Sequence, residues 1–166
     1  MIKIYLDDVR TPTEDGWIIV RDYDEFVSTV NDIKLKNISV FSLDHDLGDE
    51  AMTEYYSNVR RSNKLDYSNI KNEKTGMDCC KYLTDKCLDE YCKLPQVFIH
   101  SANPVGAANM MNYLNNFLEF NDQIASCELK KIPHTLHSSH MIPLKDRLKK
   151  WDKFYKKNLN QNDETD

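Results

Sequence analysis

Three short apolar runs rich in β-branched residues, at 2–6, 38–43 and 97–99, each stop abruptly at acids, histidine or a hydroxyl. The first ends in Leu6-Asp7-Asp8-Val9-Arg10, the second in Leu43-Asp44-His45-Asp46-Leu47-Gly48, the third in His100-Ser101-Ala102-Asn103-Pro104. Runs this short and this apolar read as parallel strands buried on both faces, and open α/β sheets place their sites just beyond the carboxyl ends of such strands. The three tips therefore point to one shared crevice.

The rest of the chain fits that frame. Residues 17–20 form a further strand after the loop chemistry of Thr11-Pro12-Thr13 and Asp15-Gly16. Asp22 or Asp24 caps a helix with Phe26, Val27, Val30 and Ile33 on one face. Thr75-Gly76 opens a second helix to about Tyr91, with Cys80, Leu83, Cys87 and Tyr91 sharing a face. Asn103-Pro104 is a cap followed by proline at the first helical position, and Ala107, Met110, Met111, Leu114, Phe117 and Leu118 form that helix's core face. A fifth strand falls within 124–132. Strands alternating with helices give βαβ units, hence an α/β fold with a doubly wound parallel sheet of order 2-1-3-4-5, in which the three motif-bearing strands are neighbours. Residues 49–74 are polar and poorly periodic, a lid or a mobile insertion after the third strand.

At 166 residues the chain is expected to be a single domain over 1–157, with 158–166 a fraying tail. A charged fraction of 30% and the lack of an apolar run near the ~20 residues needed to span a bilayer exclude a membrane protein, and the N-terminus enters a strand without a signal-peptide pattern, so a cytoplasmic location is expected. The net charge of −5 argues against bulk DNA binding. The basic stretch 145–157, interleaved with Trp151, Phe154 and Tyr155, reads as an amphipathic C-terminal helix over 143–157 with a solvated face. Five cysteines, an odd number with no Cys-x-x-Cys pair, read as free thiols rather than zinc ligands. His134, His137 and His140 are spaced by three, but Pro133, Pro143 and Ser138-Ser139 argue for irregular chain there.

Four acids, Asp7, Asp8, Asp44 and Asp46, crowded into one crevice raise each other's pKa unless a cation neutralises them, and the economical cation is Mg²⁺ or Mn²⁺ on oxygen ligands. A plainer role for any single acid is a turn or cap. Ser101 and the helix after Asn103 offer donors to an anion, and Arg10 or Arg21 offers a bidentate clamp, each also able to serve as a salt bridge to the acids. His45 and His100 at the same rim suit proton transfer, and either would shift the metal preference toward Mn²⁺.

Asp7-Asp8, Asp44 and Ser101 after their strands resemble the receiver domain of response regulators, where the acids hold Mg²⁺, the strand-three aspartate accepts a phosphoryl group, and a fifth-strand lysine (here Lys130 or Lys131) contacts the phosphate. The segment after Asp44 and the histidine at 100 depart from ordinary receivers. The run Leu6-Asp7-Asp8-Val9-Arg10-Thr11-Pro12, then Trp17 and Arg21, Leu43 to Gly48, Thr75 to Asp78, and His100 to Met110 is similar, motif by motif and in order, to the cyclic-phosphate processing receiver domains of bacteria and phages. That resemblance implies a metal-dependent phosphoesterase acting on a 2′,3′-cyclic RNA end or a cyclic nucleotide, with Asp44, His45 and His100 catalytic. Asp7, Asp8, Asp44 and Asp46 would bind the metal; Arg10, Arg21, Ser101 and Asn103 would bind the phosphate. Two other classes fit the same residues: a module that sequesters a nucleotide uncleaved, and a phosphoacceptor that regulates a partner.

Overall fold

The computed structural model describes residues 1–133 and 138–141. Its sheet has five parallel strands, β1 (Ile2–Leu6), β3 (Trp17–Val20), β4 (Ile38–Leu43), β5 (Gln96–Ile99) and β6 (Leu129–Lys131), in the order β3-β1-β4-β5-β6. This is the expected receiver-like order, with one addition. A short strand β2 (Arg10–Pro12) interrupts the β1–β3 connection and pairs antiparallel with β7 (Ser138–Met141), joining Arg10 to Met141 and Thr11 to His140. Neither strand of this ribbon carries a sequence signal, since three residues ending in proline show no alternation. The helix expected over 143–157, the tail, and His134 and His137 lie outside the described residues.

Three long helices cover the sheet: α1 (Tyr23–Ile33), α4 (Gly76–Asp89) and α5 (Pro104–Phe120). Each starts where a short polar side chain satisfies the free amides of a first turn. Asp22 accepts from the Glu25 amide, Thr75 and Asp78 form a reciprocal capping box, and Asn103 accepts from the Gly106 amide with Pro104 following. Their apolar faces meet in one core: Phe26 and Val30 of α1, Cys79, Cys80, Leu83 and Cys87 of α4, and Ala107, Met110, Leu114 and Leu118 of α5, against Ile4, Leu6, Phe41, Leu43, Val97 and Ile99 of the sheet. The cysteines are free, as expected, and burial raises the Cys79, Cys80 and Cys87 thiols. Tyr91 is the exception to the expected α4 face: the helix ends at Asp89, and Tyr91 adopts a positive φ of 50° and stands in solvent.

The stretch after β4 is folded, not a loop. It runs as α2 (Asp49–Glu54), a π-helical turn (Tyr55–Val59) and α3 (Arg60–Ser62), then a short 3₁₀ turn (Tyr67–Asn69) back to α4. Its lack of apolar period has a physical cause, because carboxylates tether it. The nearly buried Glu54 accepts from the Asp66 amide at 2.9 Å and from the side-chain amides of Asn58 and Asn69, both at 2.8 Å. Glu50 accepts from the Lys71 and Asn72 amides, and Glu73 accepts from the Ala51 amide. Stripping three donors of a buried carboxylate partner costs about 2 kcal/mol or more. Glu54→Ala is therefore expected to lower the melting temperature and speed exchange of the Asp66 amide; an Asp66 amide as protected as in wild type would refute the tether.

Candidate functional site

Strand register aligns the site. Leu6 pairs with Val20 on one side and Leu43 on the other, Leu43 pairs with Ile99, and Ile99 pairs with Lys131. The next residues, Asp7, Arg21, Asp44, His100 and Ile132, therefore leave the sheet at one level. Hydrogen bonds from the amides of Asp7, Asp44, His100 and Ile132 to the preceding rank of carbonyls hold them there.

Asp7, Asp8 and Asp44 each bring one carboxylate oxygen to within 4.8 Å of the others. Among the described residues this is the one acid cluster able to share an ion, and Asp46 is not part of it. Asp46 instead accepts from His45 Nδ1 at 2.6 Å and from the Asn103 side-chain amide at 3.1 Å, both on Oδ1. The alternation of a tight Asp-His-Asp turn accounts for this: Asp44 and Asp46 diverge, one toward the crevice and one under α5.

Arg10 spans the cluster, with Nε 2.6 Å from Asp7 Oδ2 and Nη2 2.9 Å from Asp44 Oδ2. Arg21 does not reach the carboxylates. Its guanidinium donates to the Asp7 carbonyl at 2.8 Å, the Arg10 carbonyl at 2.5 Å and Thr11 Oγ1 at 3.1 Å. It braces the turn that carries Arg10. Asn103 is the expected cap of α5, and its fully buried side chain is divided between that cap and Asp46. Removing both contacts in Asn103→Ala is expected to cost about 1–2 kcal/mol, read as a lower melting temperature; an unchanged value would show that Pro104 alone sets the helix start.

Both histidines are fully buried with both ring nitrogens engaged. A carboxylate only accepts, so His100 Nε2 donates to Asp7 Oδ2 at 3.1 Å, and Nδ1 pairs with Ser42 Oγ at 2.8 Å. The ring stacks on Tyr5, with centroids 4.5 Å apart and planes 14° from parallel. His45 donates from Nδ1 to Asp46, and Nε2 meets the Tyr67 hydroxyl of the insertion at 3.0 Å. Gly106 lies directly against this ring: a Cβ there would sit 2.4 Å from His45 Cγ. These bonds orient the site, with His100 held against Asp7 and His45 against the Asp44–Asp46 turn. Tyr67 was missed from sequence because no pattern singles it out within a polar insertion.

The two buried acids are pushed apart electrostatically. Burial opposes ionisation of Asp7, but the His100 hydrogen bond and the Arg10 charge outweigh it and hold the group at about 2. Asp44 moves the other way, raised by burial and then by the Asp7 charge, despite Arg10 and a hydrogen bond with Ser101. Ser101 thus stands beside Asp44 as the strand-tip pattern implies, its Oγ also accepting from the Asn103 amide. Lys131, rather than Lys130, lines a recess of about 390 Å³ with Ser101, Pro104, Ile132 and Pro133. A larger recess of about 460 Å³ between the start of α1, the insertion and α4 reaches Tyr67 but none of the three clustered acids.

Among the described residues no helix is long and apolar enough to cross a membrane. No curated protein and no solved structure matches the chain. A family model does: the cyclic-phosphate processing receiver domain matches residues 2–116, from the first residue of β1 to within α5. The match takes in the acid tips, the Arg10 and Arg21 turn, the tethered insertion and the His100-Ser101 tip, and the chain belongs to the cyclic-phosphate processing receiver domain family.

Proposed function

We propose that this protein is a divalent-ion-dependent phosphoesterase that opens a cyclic phosphate, either a 2′,3′-cyclic RNA end or a cyclic nucleotide. The observation that carries this reading is the trio of Asp7, Asp8 and Asp44 at adjacent strand tips, with Arg10 and Ser101 both bonded to Asp44. The donor set fits Mg²⁺ or Mn²⁺: three hard carboxylate ligands within reach of one ion, two of them now spanned by a single guanidinium. Such an ion, when bound, polarises a phosphoryl oxygen and lowers the pKa of a coordinated water.

The chain's own groups supply the rest. Asp7, Asp8 and Asp44 hold the ion, and His100, buried between Tyr5 and Ser42, keeps the Asp7 carboxylate in place. Ser101 and Lys131 line one recess and would contact phosphoryl oxygens, and Arg10 would add a fork matched to two of them. Hydrolysis adds water across one P–O bond: the water oxygen bonds to phosphorus, the bond to one ribose oxygen breaks, and that oxygen takes up a proton. The test is a mass-resolved assay with Mn²⁺ or Mg²⁺ over 2′,3′-cyclic mononucleotides, 3′,5′-cyclic mononucleotides and cyclic dinucleotides, followed by denaturation. A ring-opened product, one water heavier than the cyclic phosphate, that disappears with EDTA supports the reading. Intact ligand released on denaturation would replace it with sequestration, and acid-labile phosphate left on the protein after treatment with a small phosphodonor would replace it with a phosphoacceptor.

A further inference from the structure

Asp7 has no acceptor position left to offer. Its Oδ1 takes the backbone amides of Val9 at 2.9 Å and Arg10 at 2.5 Å; its Oδ2 takes Arg10 Nε at 2.6 Å and His100 Nε2 at 3.1 Å. An ionised carboxylate has about four lone-pair sites, so all are filled. Asp44 is close to the same state, with the His45 amide on Oδ1 at 2.8 Å, Arg10 Nη2 on Oδ2 at 2.9 Å, and a hydrogen bond with Ser101. At Asp7 an ion can join only where a present partner leaves.

The partners differ in their freedom to leave. The amides of Val9, Arg10 and His45 are backbone. His100 is stacked on Tyr5, bonded to Ser42 and fully buried. The Arg10 side chain touches both acids, stands at the crevice, and can rotate away about its own single bonds. Its backbone stays behind when it does so, because Arg21 grips the Arg10 carbonyl.

We infer that Arg10 and the divalent ion are alternative occupants of Asp7 Oδ2 and Asp44 Oδ2, so that ion entry expels the guanidinium, and the expelled guanidinium becomes the clamp for the phosphate. This rests on the reading of the three acids as an ion site. It adds a regulatory consequence: a phosphate gives the displaced arginine a new anionic partner, so ion and phosphate each tighten the other's binding, and by linkage they do so equally. In the free protein Arg10 keeps the carboxylates paired; with both ligands it sits on the substrate.

The test follows the arginine itself. The Arg10 Nε–H signal, identified by its loss in Arg10→Lys, is expected to be protected from solvent exchange in ion-free protein. It should lose that protection as Mg²⁺ saturates the shifts of the Asp8 and Asp44 amides, and regain it when inorganic phosphate is added. In parallel, Arg10→Gln should bind Mn²⁺ roughly tenfold tighter than wild type, about the worth of one charge-assisted hydrogen bond. Arg10→Lys, which keeps the charge but cannot span both acids, should also bind more tightly. Protection that persists at saturating Mg²⁺ overturns the inference, as does an Arg10→Lys affinity equal to wild type, which would mean charge alone and no competition. Absence of any saturable ion binding overturns it as well. Competition without turnover of any cyclic phosphate leaves the exchange of occupants standing and refutes only the phosphoesterase reading.

Discussion

Asp44→Asn is expected to lower turnover of a cyclic phosphate by about 10³-fold or more while raising the melting temperature of the metal-free protein by a few degrees. The two effects share one cause. Burial and the Asp7 charge raise the Asp44 carboxyl above its ordinary range. A group whose folded-state pKa is raised contributes its stability below the unfolded pKa and loses it as pH rises through the folded value, so the charged form of Asp44 costs the fold stability. Asparagine removes that cost and removes a ligand oxygen. The same variant should also lose the thermal stabilisation expected of Mn²⁺ in wild type, about 2.7 kcal/mol at a hundredfold excess over Kd. A variant that is inactive, less stable and still stabilised by Mn²⁺ would place the ion elsewhere and make Asp44 a packing residue.

The second large effect is Gly76→Ala. A Cβ on Gly76 would lie 2.0 Å from the Asp44 carbonyl oxygen and 3.0 Å from His45 Cα, and both are backbone atoms that cannot swing aside. The contact is tight because α4 begins against the β4 tip: the Gly76 amide donates to the His45 carbonyl at 2.8 Å, and the Thr75–Asp78 capping box fixes the first turn. One methyl group must therefore push the helix off the turn that carries Asp44. Overpacking of this kind costs typically 1–3 kcal/mol and can exceed it where backbone must move. Gly76→Ala is expected to fall at or above 3 kcal/mol, read in denaturant unfolding, with ion affinity lost along with it. A variant as stable as wild type would mean that α4 does not seat on β4 as described. Gly16→Ala is the contrast, since nothing lies within 4 Å of its Cβ position and only its positive φ of 86° opposes the change.

The strands were legible because burial on both faces leaves nearly uninterrupted apolar runs, and each run ends where its first polar residue meets the crevice. Helix starts were legible from short-range chemistry: Asp22, Thr75 and Asn103 announce caps that depend on a few neighbouring residues. The β2–β7 ribbon was hidden because its pairing joins Arg10 to Met141, a long-range event without local periodicity. The insertion misled for a different reason. Glu50, Glu54 and Glu73 hold it through backbone amides, and such tethers leave no hydrophobic signature.

At the site, residue type and position were legible, but partner choice was not. Asp7, Asp44 and Ser101 fell where the strand tips implied. Asp46, Arg21 and Asn103 lie at the same rim yet spend their polar atoms on His45, on backbone carbonyls and on a helix cap. Sequence spacing cannot tell a group that faces the crevice from one that faces the scaffold one residue away. The histidines show the same limit, since spacing signals neither Ser42 beside His100 nor Tyr67 beside His45.

The reading turns most directly on where the oxygen of water goes. Purified protein with Mn²⁺ would be incubated with a 2′,3′-cyclic mononucleotide, and separately with cyclic dinucleotides, in water enriched in oxygen-18, then denatured and analysed by mass. A phosphoesterase at the Asp7, Asp8 and Asp44 tips yields an opened phosphate carrying one heavy oxygen per bond cleaved, and neither EDTA-treated protein nor Asp44→Asn yields it. Recovery of every cyclic phosphate intact and unlabelled from active, Mn²⁺-bound protein would contradict the account.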